Sequence, residues 1–238
     1  MGGRSTEYDR VYMFPATAHN SAGRPTAPAK MTFALPNVMN VVSAGEFEAA
    51  TTYRIGLARK ATFTVFTLRN PSRLVIDIKA AFPTVQKRVW LFNRNRFIAT
   101  KEPFFTPVLR PVQPLTPAIG VMDRIFAGPL TTEYTSGLRT LLSEATGFTN
   151  LQISNGVARV QLTGGYNSRG STVTIAGSIM RSLKQLSTVK FVKIYDPSGH
   201  TASPYGRSDS IPDCLNPQDR VAEFVQSHRS ASTPETRD

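Results

Sequence analysis

The chain has 238 residues, of which 40% are hydrophobic and 18% charged, and a formal net charge of +12. This describes one or two globular domains and excludes a disordered or collagen-like chain. No run of about 18 apolar residues could cross a membrane as a helix, and the single cysteine, Cys214, excludes an internal disulfide and a cysteine metal cluster.

Residues 1–6 are polar and read as a frayed terminus. They also fit the loose myristoylation pattern, and no basic-then-apolar signal segment opens the sequence. Residues 9–14 read as a short strand, and Pro15, Gly23, Pro25 and Pro28 mark a loop up to Lys30. Residues 31–35, 38–44, 47–58, 62–68 and 73–78 read as further strands, with Phe47, Tyr53, Ile55 and Leu57 as the apolar side of the third. Asn70-Pro71-Ser72 is a turn. Short strands with turn signals every ~8–12 residues suggest an all-β sandwich.

The runs Gly45-Glu46-Phe47-Glu48, Tyr53-Arg54-Ile55-Gly56-Leu57, Phe63-Thr64-Val65-Phe66 and Asn70-Pro71-Ser72-Arg73-Leu74-Val75-Ile76-Asp77 resemble the AMIN-like domain. The resemblance implies a β-sandwich that acts as an envelope-targeting module, over residues 7–80. Too little chain precedes Lys30 for the early strands such domains carry. The copy therefore reads as shortened, with an open sheet edge and lower stability than the rest.

Residues 80–86 read as a linker. Residues 88–92 read as a strand placing Trp90 in the core, and residues 94–100 as its hairpin partner. Five prolines between residues 102 and 117 predict an extended approach to a helix. That helix covers residues 117–127, with Ile119, Met122, Ile125 and Phe126 as its stripe, and stops at Gly128-Pro129. A second helical piece is expected over 133–142, carrying Leu138, Leu141 and Leu142. Apolar alternation on both sides of Asn155-Gly156 predicts a hairpin. Residues 173–186 return to helical period, with Ile175, Ile179, Leu183 and Leu186 on one stripe, and residues 189–195 form a closing strand. The two stripes call for a shared β-surface between Leu115 and Tyr195.

Ala127-Gly128-Pro129, Gly137-Leu138-Arg139-Thr140, Asn155-Gly156-Val157-Ala158-Arg159-Val160 with Leu162, and Leu183-Lys184-Gln185-Leu186-Ser187-Thr188-Val189-Lys190 resemble the GerMN domain of sporulation and germination proteins and actinobacterial envelope lipoproteins. The match departs at Leu142-Ser143, where Leu-Pro is expected. Residues 208–215 are similar to the closing segment of such proteins. The expected architecture is α+β: a shortened AMIN-like β domain, then a GerMN-like domain over residues 87–217 with a sheet packed by two or three helices. Residues 218–238 read as a short helix and tail.

Candidate chemistry is sparse. The Gly-rich stretch at residues 164–172 could place backbone amides and Arg169 around an anion, but it lacks a phosphate-loop ending and reads as a strand-to-helix connection capped by Ser171 or Thr172. Cys214 lacks a neighbouring base and reads as a packed thiol or an interchain one. Glu46 and Glu48 alternate on one strand and so share a face, as solvated pairs commonly do. Ser136 and Ser168 lack a hydrolase elbow, and His19, His200 and His228 lack zinc-ligand spacing. No catalytic, cofactor or metal residue is assigned.

Basic residues are spread: ten against five acidic before Val85, fifteen against seven from there to Leu215, and three against four after it. This fits attraction to an anionic envelope polymer or surface, or simple solubility. Lys87, Arg88, Arg94, Arg96 and Arg169 are the expected binding-loop cations. The resemblances imply a non-catalytic, extracytoplasmic envelope protein that binds envelope proteins or peptidoglycan, with self-association also plausible. The competing classes are a cell-wall enzyme or its accessory, and a basic nucleic-acid binder; the absence of an aromatic–basic platform argues against the latter.

Overall fold

The computed structural model describes residues 7–79 and 82–216. These fall into two compact units, one ending at Thr140 and the other beginning at Leu141. Expectations for residues 1–6, for His228 and for the tail lie outside the described residues.

The first unit opens with an antiparallel sheet in the order β1-β4-β3-β2, built from β1 (Glu7–Met13), β2 (Lys30–Thr32), β3 (Val38–Phe47) and β4 (Ala50–Leu57). Met39, Ala50, Ile55 and Leu57 are its buried apolar residues. The β3–β4 hairpin turns on Glu48 and Ala49, both left-handed at φ 48 and 58°. This corrects two expectations. Glu46 lies in β3 while Glu48 lies in the turn, so they do not share a strand face, and Phe47, the last residue of β3, is 75% exposed rather than part of β4's apolar side. β5 (Phe63–Leu68) and β6 (Arg73–Ile78) form a separate two-stranded hairpin.

A second sheet follows in the order β8-β7-β9, from β7 (Val85–Asn93), β8 (Phe105–Val112) and β9 (Leu138–Arg139). Residues 94–100 are not the hairpin partner of β7. Arg94–Ile98 form the short helix α1, because Asn93 caps it by accepting from Arg96 N at 3.0 Å. The partner is β8, from the proline-rich stretch. The Asn93 N to Phe104 O bond at 2.8 Å fixes the ladder phase, and alternation from it puts Pro107 and Pro111 in non-hydrogen-bonded pairs with Trp90 and Gln86. Their missing N–H groups would have pointed off the free edge, so the ladder loses nothing.

Helix α2 (Pro117–Ala127) has Pro117 at its first position, where a fixed φ favours the helix. Val121, Met122 and Ile125 are fully buried, but Arg124 is too and Asp123 is largely so, and the burial therefore wraps the helix rather than following one stripe. Gly120 permits the approach to β8: an added Cβ would sit 2.7 Å from Val112 Cβ. The second helical piece ends early. Helix α3 covers only Thr131–Thr135, and Leu138 belongs to β9, paired with Asn93.

The second unit contains β10 (Ala145–Ser154), β11 (Val157–Gly164), helix α4 (Ile175–Lys184) and β12 (Phe191–Tyr195), in the sheet order β10-β11-β12. Asn155 and Gly156, at φ 51 and 78°, make the expected tight hairpin turn. β11 and β12 run parallel, joined through α4. Ile175, Ile179 and Leu183 are 0% exposed, as are Val160, Leu162, Val192 and Ile194. The fold is thus α+β. Yet the stripes of α2 and α4 do not share one surface: α2 packs on β7 and β8, α4 on β12. Ser143 and Glu144 are left-handed, at φ 48 and 67°, which ends the extended run after β9.

Candidate binding site at the end of the second helix

Two of the motifs singled out in the sequence converge in space. Gly128 ends α2 at φ 87°, a conformation that favours glycine, and an added Cβ would lie 2.6 Å from Thr140 Oγ1. Gly137 precedes β9 at φ 99°, where a Cβ would lie 2.5 Å from the Asn95 amide nitrogen. These glycines let the chain turn twice so that Ala127, Pro129, Arg139 and Thr140 line one cleft of about 460 Å³. Strand β2 supplies the facing wall with Lys30 and Thr32.

The polar groups there are largely cationic or hydroxylic. Lys30 Nζ donates to Phe126 O at 3.4 Å and Thr32 Oγ1 to Ala127 O at 3.0 Å, so β2 satisfies the last carbonyls of α2. Part of Lys30 reaches solvent, yet its ammonium is crowded enough that burial lowers its pKa from the ordinary lysine value. The Arg139 guanidinium stacks 3.5 Å over the Tyr134 ring and donates to Tyr134 O at 2.6 Å. Among the described residues, no carboxylate lines the cleft and neither Lys30 nor Arg139 joins an ion pair.

Its walls are braced by two buried arginines. Arg110, 2% exposed, meets Glu133 of α3 through both guanidinium nitrogens, and Glu133 Oε2 also accepts from Leu130 N at 2.8 Å. Arg124, 1% exposed, donates to Phe33 O at 2.9 Å and Leu35 O at 2.5 Å, which ties α2 to the segment after β2. Burial, and then the neighbouring Arg110, bring the Arg124 pKa down to about 10, so it stays charged at neutral pH.

The cations expected from sequence lie elsewhere. Lys87 and Arg88 alternate to opposite faces of β7. Arg94 is exposed on α1, whereas Arg96 is spent on its own loop, donating to Pro103 O at 2.9 Å and Glu102 O at 2.6 Å. Arg169, in the second unit, pairs with Glu144 at 2.6 Å. Lys30 and Arg139 were missed as a pair because 109 positions separate them in sequence; only Arg139 lay in a quoted motif.

The remaining candidates are structural. The Ser171 hydroxyl bonds to Val173 rather than to the start of α4, and Thr172 does not cap it; Ile175 N donates instead to Ser143 Oγ at 3.1 Å. This explains the residue that stands where the family pattern has proline. Cys214 Sγ donates to Tyr166 O at 2.8 Å. Ser136 Oγ donates to Glu133 O at 2.7 Å. Glu46 accepts from Ala18 N at 2.8 Å and pairs with His19 at 2.9 Å, contacts that hold its pKa below the usual value.

One constellation was not anticipated. Ser198 Oγ lies 2.7 Å from Asp196 Oδ1 and 3.1 Å from His200 Nδ1. The order is wrong for a hydrolase, because the serine donates to the aspartate instead of handing its proton to the imidazole. Burial pushes the Asp196 pKa up, but bonds from His200 N and from the Ser198 hydroxyl and amide outweigh this and hold it below the usual carboxylate range. The group is a turn that positions residues 196–200. Among the described residues, no cluster of three His, Cys, Asp or Glu could hold a metal ion. No described helix is long and apolar enough to cross a membrane.

Residues 4–80 match the family model described as AMIN-like domain, and residues 92–195 match the one described as sporulation and spore germination. No curated protein matches the chain. Among solved structures, it is similar to the tandem GerMN domains of the sporulation protein GerM from Bacillus subtilis, at 17% identity and a TM-score of 0.39. That similarity covers 58% of this chain and 48% of the other, so the chain spans about half the length of that structure. Lys30 and Thr32 of the cleft fall in the first family match, and Ala127, Arg139 and Thr140 in the second. The chain therefore matches an AMIN-like domain in its first third and, after it, a sporulation and spore germination domain.

Proposed function

We propose that this is a non-catalytic, extracytoplasmic envelope protein that binds carboxylate-bearing cell-wall polymer, such as peptidoglycan, in the cleft at the end of α2. The observation that carries this reading is the presence of Lys30 and Arg139 in a concave site where no carboxylate of the described residues lines the wall. An anion bound there gains two charged donors, with the hydroxyls of Thr131 and Thr140 at hand for sugar or peptide groups. Tyr134, 53% exposed, adds an aromatic surface already held in place by Arg139. The net charge of +12 draws the protein toward anionic polymers, and the cleft supplies the selectivity.

Co-sedimentation with purified peptidoglycan sacculi in about 0.15 M salt tests this, at an ionic strength that screens exposed charges beyond roughly 8 Å. The full chain should be retained, and K30A/R139A should lose most of that retention while still folding with a cooperative melting transition. Equal retention of the two proteins would reject the cleft. Tighter, salt-dependent retention on duplex DNA than on sacculi would instead favour nucleic-acid binding.

A further inference from the structure

The β5–β6 hairpin presents a surface that the cleft does not use. Lys79 N donates to Thr62 O at 3.0 Å, which fixes the phase of the antiparallel ladder. Counting from that bonded pair, Thr64 with Asp77 and Phe66 with Val75 exchange hydrogen bonds, while Phe63, Val65 and Thr67 stand in the non-bonded pairs. The N–H and C=O groups of these three residues therefore point away from β6, along a strand edge that no described strand covers. Every residue of β5 is exposed.

The face beside this edge is apolar. Phe63 and Val65, with Leu74 and Ile76 across the hairpin, line a cleft of about 240 Å³ against Val11 and Ile55. Phe63 and Val65 are 53% and 52% exposed, so half of each side chain is uncovered. The hairpin and the residues flanking it in sequence carry Arg59, Lys60, Arg69, Arg73 and Lys79, all exposed, against the acidic Asp77 and against Asp9, which lines the cleft beside Arg10. None of the five joins an ion pair among the described residues. A second copy of the hairpin would bring the same cations face to face, and like charges oppose that docking.

We propose that the β5 edge accepts an extended segment of a partner protein by strand addition, and that the segment alternates apolar side chains and carries acidic residues at its ends. Main-chain bonds to residues 63, 65 and 67 supply the register. Alternate side chains of the added strand enter the apolar cleft, and its acidic flanks meet the surrounding cations. A six-residue strand matching β5 spans roughly 20 Å, so the motif is short. This site is separate from Lys30 and Arg139 and stands or falls independently of polymer binding.

The probe is a labelled decapeptide of alternating valine and threonine with two glutamates at each end, titrated with the full chain and followed by fluorescence anisotropy. A control peptide carries lysines in place of the glutamates. The acidic peptide should bind saturably, and the basic one at least tenfold more weakly. V65P should abolish binding while leaving the melting temperature close to wild type, because Val65 N–H is not bonded to β6. The chain places Pro107 and Pro111 on the β8 edge in the same way. R69E/R73E should weaken the acidic peptide at least tenfold, a readout that holds even if V65P is poorly folded. Equal binding of the two peptides, or no saturable binding below about 1 mM, overturns the proposal. So does a concentration-dependent dimer in sedimentation velocity that V65P abolishes, since the edge would then serve a second copy.

Discussion

The β5–β6 hairpin and the β11–α4–β12 unit are written in nearly the same alternation, and they end in opposite environments. Phe63, Val65 and Leu74 are about half exposed, at 53, 52 and 48%, while Val160, Leu162, Val192 and Ile194 are 0% exposed. Period-two patterning says that a face is apolar; it does not say that anything covers it. What differs is the intervening chain. Between β11 and β12 it forms a ten-residue helix that returns across the sheet, whereas between β5 and β6 there is only a four-residue turn. A parallel pair needs a long crossover and so brings its own cover, but a hairpin does not.

The sharpest way to break this comparison is to delete the same kind of side chain in each region. Ile179→Ala removes a fully buried group from α4 and should cost ~2–5 kcal/mol in chemical unfolding. Val65→Ala, at a half-exposed site, should change stability by about 0.5 kcal/mol or less. Similar losses at the two positions would mean that the hairpin face is covered after all.

Between these extremes lie the polar ties. Glu133→Ala leaves the Arg110 guanidinium buried without its carboxylate, and should cost ~3 kcal/mol, toward the low end for a broken buried pair because the Glu133 side chain is 18% exposed. In the second unit, Asp196→Asn weakens an acceptor of three hydrogen bonds and should cost ~1–3 kcal/mol at neutral pH. The sign of its pH dependence follows from the lowered carboxylate pKa. Its stabilisation is complete above the unfolded value of about 4 and is lost as pH falls through the lower folded value. The gap in melting temperature between wild type and D196N should therefore close on acidification below pH about 4, and a gap that widens would contradict the assignment.

Much of the fold was legible where local chemistry and burial agree. Helix α2 runs over residues 117–127 as the stripe and the Gly128-Pro129 stop predict, and Asn155-Gly156 fixes the β10–β11 turn. Reading failed where tertiary position decides. The prolines of residues 102–117 read as an extended approach to α2, yet residues 105–112 pair as an edge strand whose prolines at non-bonded positions cost nothing. Asn93 carried a helix-cap signal that the strand reading of residues 94–100 passed over. The candidate site was half legible: the motifs holding Gly128 and Arg139 were visible, but Lys30 reaches them only through the pairing of β2 with β3 and the contact of β2 with the end of α2.

Under the proposed function, Lys30 and Arg139 bind carboxylates of the wall polymer. The most direct measurement is a binding isotherm on sacculi before and after carbodiimide amidation of their carboxylates, run for wild type and K30A/R139A. Amidation should lower wild-type affinity to that of the double variant and leave the variant unchanged. Wild-type affinity that survives amidation would contradict the account.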